Sequence, residues 1–290
     1  MTDVASGETP ASDVLAAWAS AYQPVLQGSL GLHAPYFLTP AVHNDAGLTI
    51  HQLSASCFLS SESALFLIAR GRLWDAEILV RAVFEGTLKL AYLCVPDEPV
   101  RTTRHREFAY DLMEIGRLRS HERAQEALAL WGRDHEATRP LTDMLLSEEQ
   151  AAEIRATYPS NRRNELAQRW SFTGLVRALE DDEPEQVRGL KSLLHGYRMS
   201  SHLIHKDVEG VGMVWEREER ELPRREAVTR SHGARLCSDI HAMLRFRLNR
   251  MYASMGMDPA PLDGLERMGV PLVRQWKDSY DAWHRIEYDT

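Results

Sequence analysis

Apolar residues recur at spacings of three and four along most of this chain, the pattern of helices that each bury one face. Ser12 or Asp13 caps a first helix expected to end near Gln27. The glycines and prolines between 28 and 47 predict an irregular connection. Residues 49–69 and 74–95 predict two long helices turning at Gly71, an antiparallel pair with a short connector that ends at Pro96-Asp97. A longer, more polar helix follows over 99–131, broken between Arg133 and Pro140. Ser147-Glu148-Glu149-Gln150 reads as a capping box opening a short helix that ends before Pro159. Residues 160–180 are mixed, with Trp170 and Phe172 expected in a core. A helix is expected from Glu183 or Pro184 until Gly210 and Gly212 stop it. Another runs from Pro223 to near Met255, then a turn-rich break over 259–269, then a last helix from Pro271 to near Ile286.

No segment alternates like a strand, and no repeat, Gly-rich phosphate loop, nucleophile elbow or HExxH unit occurs. The expectation is all-α: one multi-helix bundle of about seven to nine helices. Residues 1–12 read as a disordered tail and 13–290 as a single domain, since no Pro/Gly/Ser linker separates two cores.

Composition narrows the function classes. The 290 residues are 44% hydrophobic and 26% charged, ordinary for a globular protein able to bury a large core. The polar N-terminus lacks a basic start and an apolar stretch, so no signal peptide is expected; charges interrupt the most apolar segment, so no membrane span is expected either. Cys57, Cys94 and Cys237 form no pair motif and read as buried apolar residues of a reducing, cytoplasmic compartment. A net charge of −8 disfavours broad non-specific binding to nucleic acid or anionic membrane. Only four of the 34 basic residues are lysines. Arginine suits bidentate phosphate contacts, but acids interleave with it nearly everywhere, as on an ion-paired surface.

Two stripes carry candidate chemistry. On the 74–95 helix, Glu77, Arg81, Glu85 and Lys89 lie four apart on a helix otherwise apolar almost all round. They form either a solvent ladder or one wall of a polar cleft, in which an inward Arg81 takes Glu85 or Glu62 as its partner. Around residue 200, Leu194, Tyr197, Ser201, Ile204 and Val208 form one face, while His195, Arg198, His202 and His205 share the next. Histidine serves as an acid or base near neutral pH and arginine holds a phosphate or oxyanion. The bland alternative is a set of hydrogen-bonded polar residues at a helix edge. A metal alternative pairs His202 and His205 with Glu85 or Glu62.

Leu79-Val80-Arg81-Ala82-Val83-Phe84-Glu85, followed by Lys89-Leu90-Ala91-Tyr92-Leu93, resembles the leading helix of an uncharacterised all-helical bacterial family, a domain of unknown function. Tyr197-Arg198-x-x-Ser201-x-x-x-His205 resembles the second landmark of that family, and the likeness covers residues 50–210. That family in turn looks like the HEPN group, many of whose members are metal-independent ribonucleases of toxin and phage-defence systems, with an arginine and a histidine working across a dimer interface. Arg198 and His205 fit with six residues between them, although Met199 stands where a polar residue is usual. Arg225/His232 and Arg235/His241 fit the spacing too; Arg198/His205 is preferred because it lies in the second landmark.

The resemblance implies a ribonuclease in which His205 is the acid or base at a ribose 2′-hydroxyl, Arg198 binds phosphate, and His202, Arg81 and Glu85 complete the site, with no cofactor and no metal. RNA, a partner protein and a second copy of the chain are the partners it implies, and no membrane. The competing readings are a non-catalytic helical module binding a protein or small ligand, and a histidine–carboxylate metal protein. All of them turn on whether Arg81, Glu85, Arg198 and His205 converge in space.

Overall fold

The computed structural model describes residues 9–39, 45–132, 136–182, 190 and 193–289. Among the described residues every regular element is helical and no strand occurs, as the periodicity requires. The elements are α1 (Ala11–Phe37), α2 (Asp45–Ala69), α3 (Leu73–Leu93), α4 (Glu98–Arg106), a π-helical segment (Glu107–Asp111), α5 (Leu112–Trp131), a 3-10 turn (Glu136–Thr138), α6 (Arg139–Thr142), α7 (Glu148–Thr157), α8 (Ser160–Arg169), α9 (Phe172–Asp182), α10 (Leu193–His205), α11 (Val208–Glu219), α12 (Leu222–Ser254) and α13 (Leu262–Tyr288). Counting the continuous run 98–131 once gives twelve helices among the described residues, more than the seven to nine expected. The excess lies in the short helices between 139 and 182 and in the separation of α10 from α11.

Several boundaries correct the sequence reading. In α1 and α13 the burial of neighbouring side chains overrides isolated glycines and prolines, and in α11 the glycine itself packs against α10. Helix α1 continues past Gln27 to Phe37, because Ser29, His33 and Tyr36 extend its buried face. Helix α13 starts ahead of Pro271 and carries that proline inside it. Gly210 and Gly212 lie within α11; the break falls at Lys206, whose φ is +51°, and Asp207 caps α11 by accepting from Gly210 N. The expected start at 183 or 184 and most of the N-terminal tail lie outside the described residues. The capping box at Ser147 and Gln150 forms as read.

The chain divides into two compact units, residues 1–96 with 179–290, and residues 97–178, the division falling within α9. The larger unit is a bundle around α3, whose Val80, Val83, Leu88, Leu90 and Ala91 are fully buried. Arg247 on α12 is itself buried and donates to Thr87 Oγ1 at 2.8 Å. Arg250 donates to the carbonyl of Cys94 at 3.0 Å, satisfying an acceptor left open by the C-terminus of α3. Tyr22, His241 and Trp276 pack edge to face where α1, α12 and α13 meet. All three cysteines are free and buried, as expected. Helix α2 holds a stretch, Ala46–Ala69, long and apolar enough by length and composition to cross a membrane; core helices of soluble proteins pass the same test.

In the smaller unit, Glu107 in the π-helical turn is buried and accepts from Arg162 at 3.2 Å, from Trp170 Nε1 at 3.1 Å and from Arg169. Leu118, Ala151 and Ile154 form its apolar core beside Leu146 and Tyr158. Trp170 and Phe172 are buried, as expected.

The α10–α11 corner is tight enough to test. A Cβ on Gly210 would lie against the carbonyl of His202, closer than real side chains approach backbone. We expect Gly210→Ala to cost about 1–3 kcal/mol, read as a lower urea midpoint. An unchanged midpoint would contradict this packing of α11 on α10.

Candidate functional site

Helix α3 brings its charged stripe inward. Glu77 is buried, and Arg81 and Glu85 are partly covered, with side chains 15% and 36% exposed. The solvent-ladder alternative therefore does not describe this stripe. Helix α10 meets it with a face other than the one its apolar residues suggest. Ser200 and Leu203 are buried, whereas Ile204 is 39% exposed; Val208, read into the same stripe, instead opens α11 and is 90% exposed. The rotation has a polar cause: Ser200 Oγ lies 3.0 Å from Glu77 Oε1 and 2.9 Å from the carbonyl of Gly196.

Two polar clusters follow along the stripe. In the first, Tyr197 OH donates to Glu85 Oε1 at 3.0 Å and accepts from Arg81 Nη2 at 2.7 Å. Arg81 Nε donates to the same Glu85 oxygen at 3.3 Å, and its guanidinium stacks 3.9 Å over the Tyr197 ring. Arg81 thus pairs with Glu85; Glu62 instead accepts from Gln23 and Gln27.

The second cluster surrounds Glu77. Its carboxylate accepts from His232 Nε2 at 2.9 Å and from Arg235, which also donates to Asp239 at 3.0 Å. On the far side of the ring, Arg217 Nη1 lies 2.8 Å from His232 Nδ1. Arginine can only donate, so Nδ1 must accept and the proton must sit on Nε2. His232 is therefore neutral, with its tautomer set from both sides. The Arg217 guanidinium lies 4.0 Å over the ring of Trp74, which also packs on His232.

The electrostatics agree. Burial lowers the His232 pKa to about 4, and Arg217 and Arg235 push the same way. Burial alone would raise Glu77, but the His232 bond and the charge of Arg235 prevail and hold it at about 2. Burial raises Asp239 to about 6 against the pull of Arg235. Arg217 falls to about 10 through burial and through its neighbours Arg220 and Arg235.

These groups floor a cavity of about 580 Å³, walled by Phe84, Met199, Leu203, Met213, Val228, Tyr280 and Trp283. Of the site expected from sequence, the structure joins Arg81 and Glu85 to helix α10 through Tyr197. Arg198 and His205 are exposed and have no polar partner among the described residues. His202 is held locally, by Asp207 at 2.7 Å and Glu209 at 3.0 Å, while the side chain of His195 lies outside the described residues. Among the described residues no group of three His, Cys, Asp or Glu side chains is placed to hold a metal ion.

The sequence reading missed Trp74, Arg217, His232, Arg235 and Asp239. A signal existed: His232, Arg235 and Asp239 recur at spacings of three and four on a helix otherwise largely buried. His232 and Arg235 even belong to the two Arg/His pairs set aside in favour of Arg198/His205. Neither of those pairs assembles as such, because Arg225 donates to the carbonyl of Glu218 and His241 packs against Tyr22.

Fold and site together define an all-helical protein with a ligand-sized cavity over a fixed charged floor. The chain belongs to a family of unknown function, DUF5677, whose model matches residues 48–222. No curated protein and no solved structure matches it.

The shifts at His232 and Asp239 have opposite signs for stability. The fold accepts neutral His232, so its contribution is complete above pH 6.5 and fades as pH falls toward 4. Asp239 is favoured in its protonated form, so its contribution is complete below pH 3.8 and fades as pH rises through 6. The two oppose each other between about pH 4 and 6. Asp239→Asn should therefore lose stability, relative to the parent, on going from pH 6.5 to 4.5. Denaturation at the two pH values measures this, and parallel behaviour of variant and parent would contradict it.

Proposed function

We propose that this protein is a binding module for a small organic ligand, held in the cavity above Glu77, His232 and Arg235. The observation that carries this reading is the cavity itself: about 580 Å³, mainly apolar walls and a few convergent charged groups. Ligand sites commonly have that make-up and a volume of roughly 300–1,000 Å³. The hydrogen-bonded floor is preorganised rather than poised for proton transfer. His232 Nδ1, the lone pair a general base would need, already accepts from Arg217. Binding is thus favoured over acid–base catalysis at this cavity.

The test is native mass spectrometry of the protein purified from its natural host, with fluorescence titration of anilinonaphthalene sulfonate beside it. A retained small molecule, and dye binding abolished by the cavity-filling Val228→Trp, are the expected results. Dye binding that survives Val228→Trp, or a bare protein that takes no dye, would overturn the reading.

A second reading, a metal-independent HEPN-like ribonuclease, draws on Arg198 and His205. They stand about two turns apart on α10, exposed and without polar partners among the described residues, so that a phosphate can reach both. In this reading Arg81, Glu85 and Tyr197 brace the helix, and a second copy of the chain completes the site. RNA cleavage in EDTA tests it. The parent should cut and His205→Ala should not; equal cleavage by both removes His205 from the mechanism.

A further inference from the structure

The charges of the cavity are unevenly paired. Arg235 is matched by Glu77 and Asp239. Glu216, at the rim, is matched by Arg220 at 2.6 Å, and Glu218 lies 3.8 Å from Arg225. Arg217 has no carboxylate partner among the described residues; its neighbours are the face of Trp74 and the neutral ring of His232. Only Nη1 is engaged. Nε and Nη2 are unpartnered among the described residues, and Arg217 lines the cavity. Those two N–H groups share one edge of the guanidinium, the edge that grips a carboxylate side-on through two parallel hydrogen bonds. Trp74 and His232 fix the plane of the fork, so little side-chain freedom remains to be lost on binding.

We propose that the cavity selects an organic acid: a single carboxylate received by the Nε/Nη2 edge of Arg217, and an aromatic or aliphatic body laid against the Met199, Met213 and Trp283 wall. This rests on the ligand-binding reading above and names the class of ligand. Glu77 and Asp239 already equal Arg235 and Arg217 in number, so the site takes at most one added negative charge, and takes it in direct contact with the guanidinium that has no carboxylate beside it. A dianionic phosphate would leave charge over beside Glu77 and Asp239. An ammonium would meet Arg217 head on, and a neutral amide would recover only part of the interaction.

Isothermal titration of the full chain with naphthylacetate, its primary amide and naphthylethylamine tests the proposal. The acid should bind at least about tenfold more tightly than the amide, and the amine more weakly than either. Arg217→Gln should bring the acid down to about the amide's affinity and cost the amide much less than it costs the acid. Arg217→Lys, which keeps the charge but not the fork, should fall between. Arg117→Gln, on an exposed pair with Glu114 that does not line the cavity, should leave all three affinities as they were. Equal binding of acid and amide by the parent would overturn the organic-acid assignment while the cavity reading stands. Failure of all three probes, with no retained ligand in native mass spectrometry, would overturn both. The comparison within the unaltered chain decides the matter even if Arg217→Gln does not fold.

Discussion

A single buried carboxylate organises the larger unit. Glu77 sits where α3, α10 and α12 meet, and a charge in that position is tolerable only while its donors stay in place. That requirement turns the Ser200 side of α10 toward α3 and holds His232 and Arg235 to one edge of α12. The cavity exists because the helices are held at this polar seam rather than collapsed onto each other.

The smaller unit uses the same device. Glu107, in the π-helical turn between α4 and α5, gathers Arg162, Arg169 and the indole of Trp170. In each unit a carboxylate on a central helix collects an arginine and a second donor from later helices. Directional hydrogen bonds of this kind set helix rotation in a way that apolar contact does not. The two clusters differ in what lies beside them. Donors and core close around Glu107, whereas Glu77 floors an open cavity in which Arg217 is stacked on Trp74 and has no carboxylate in direct contact among the described residues.

The neutral His232 links geometry to chemistry. Glu77 takes its Nε2 proton and Arg217 occupies its Nδ1 lone pair, so the ring works as a spacer that passes no proton. Burial and the two guanidiniums depress its pKa against the opposing pull of Glu77, and the contacts of Glu77 and Arg217 fix its tautomer. A polar floor this fully committed is suited to holding a ligand in one orientation.

Apolar periodicity was enough to determine that the regular elements among the described residues are helical, that 49–69 and 74–95 are successive helices, and that Glu77, Arg81 and Glu85 share a face. Those properties depend on spacing within one helix, which the sequence carries directly. Glycine and proline misled at α1 and α13 because the burial of neighbouring side chains outweighs the modest local cost of a breaker, and at α11 because Gly210 is needed for the close approach to α10. Whether the charged stripe met water or protein, and which side of α10 met it, were settled only by tertiary structure. Residues 77, 200, 217 and 232 share no periodicity and lie on four helices. Their meeting depends on how those helices rotate and cross, and no single segment of sequence encodes that.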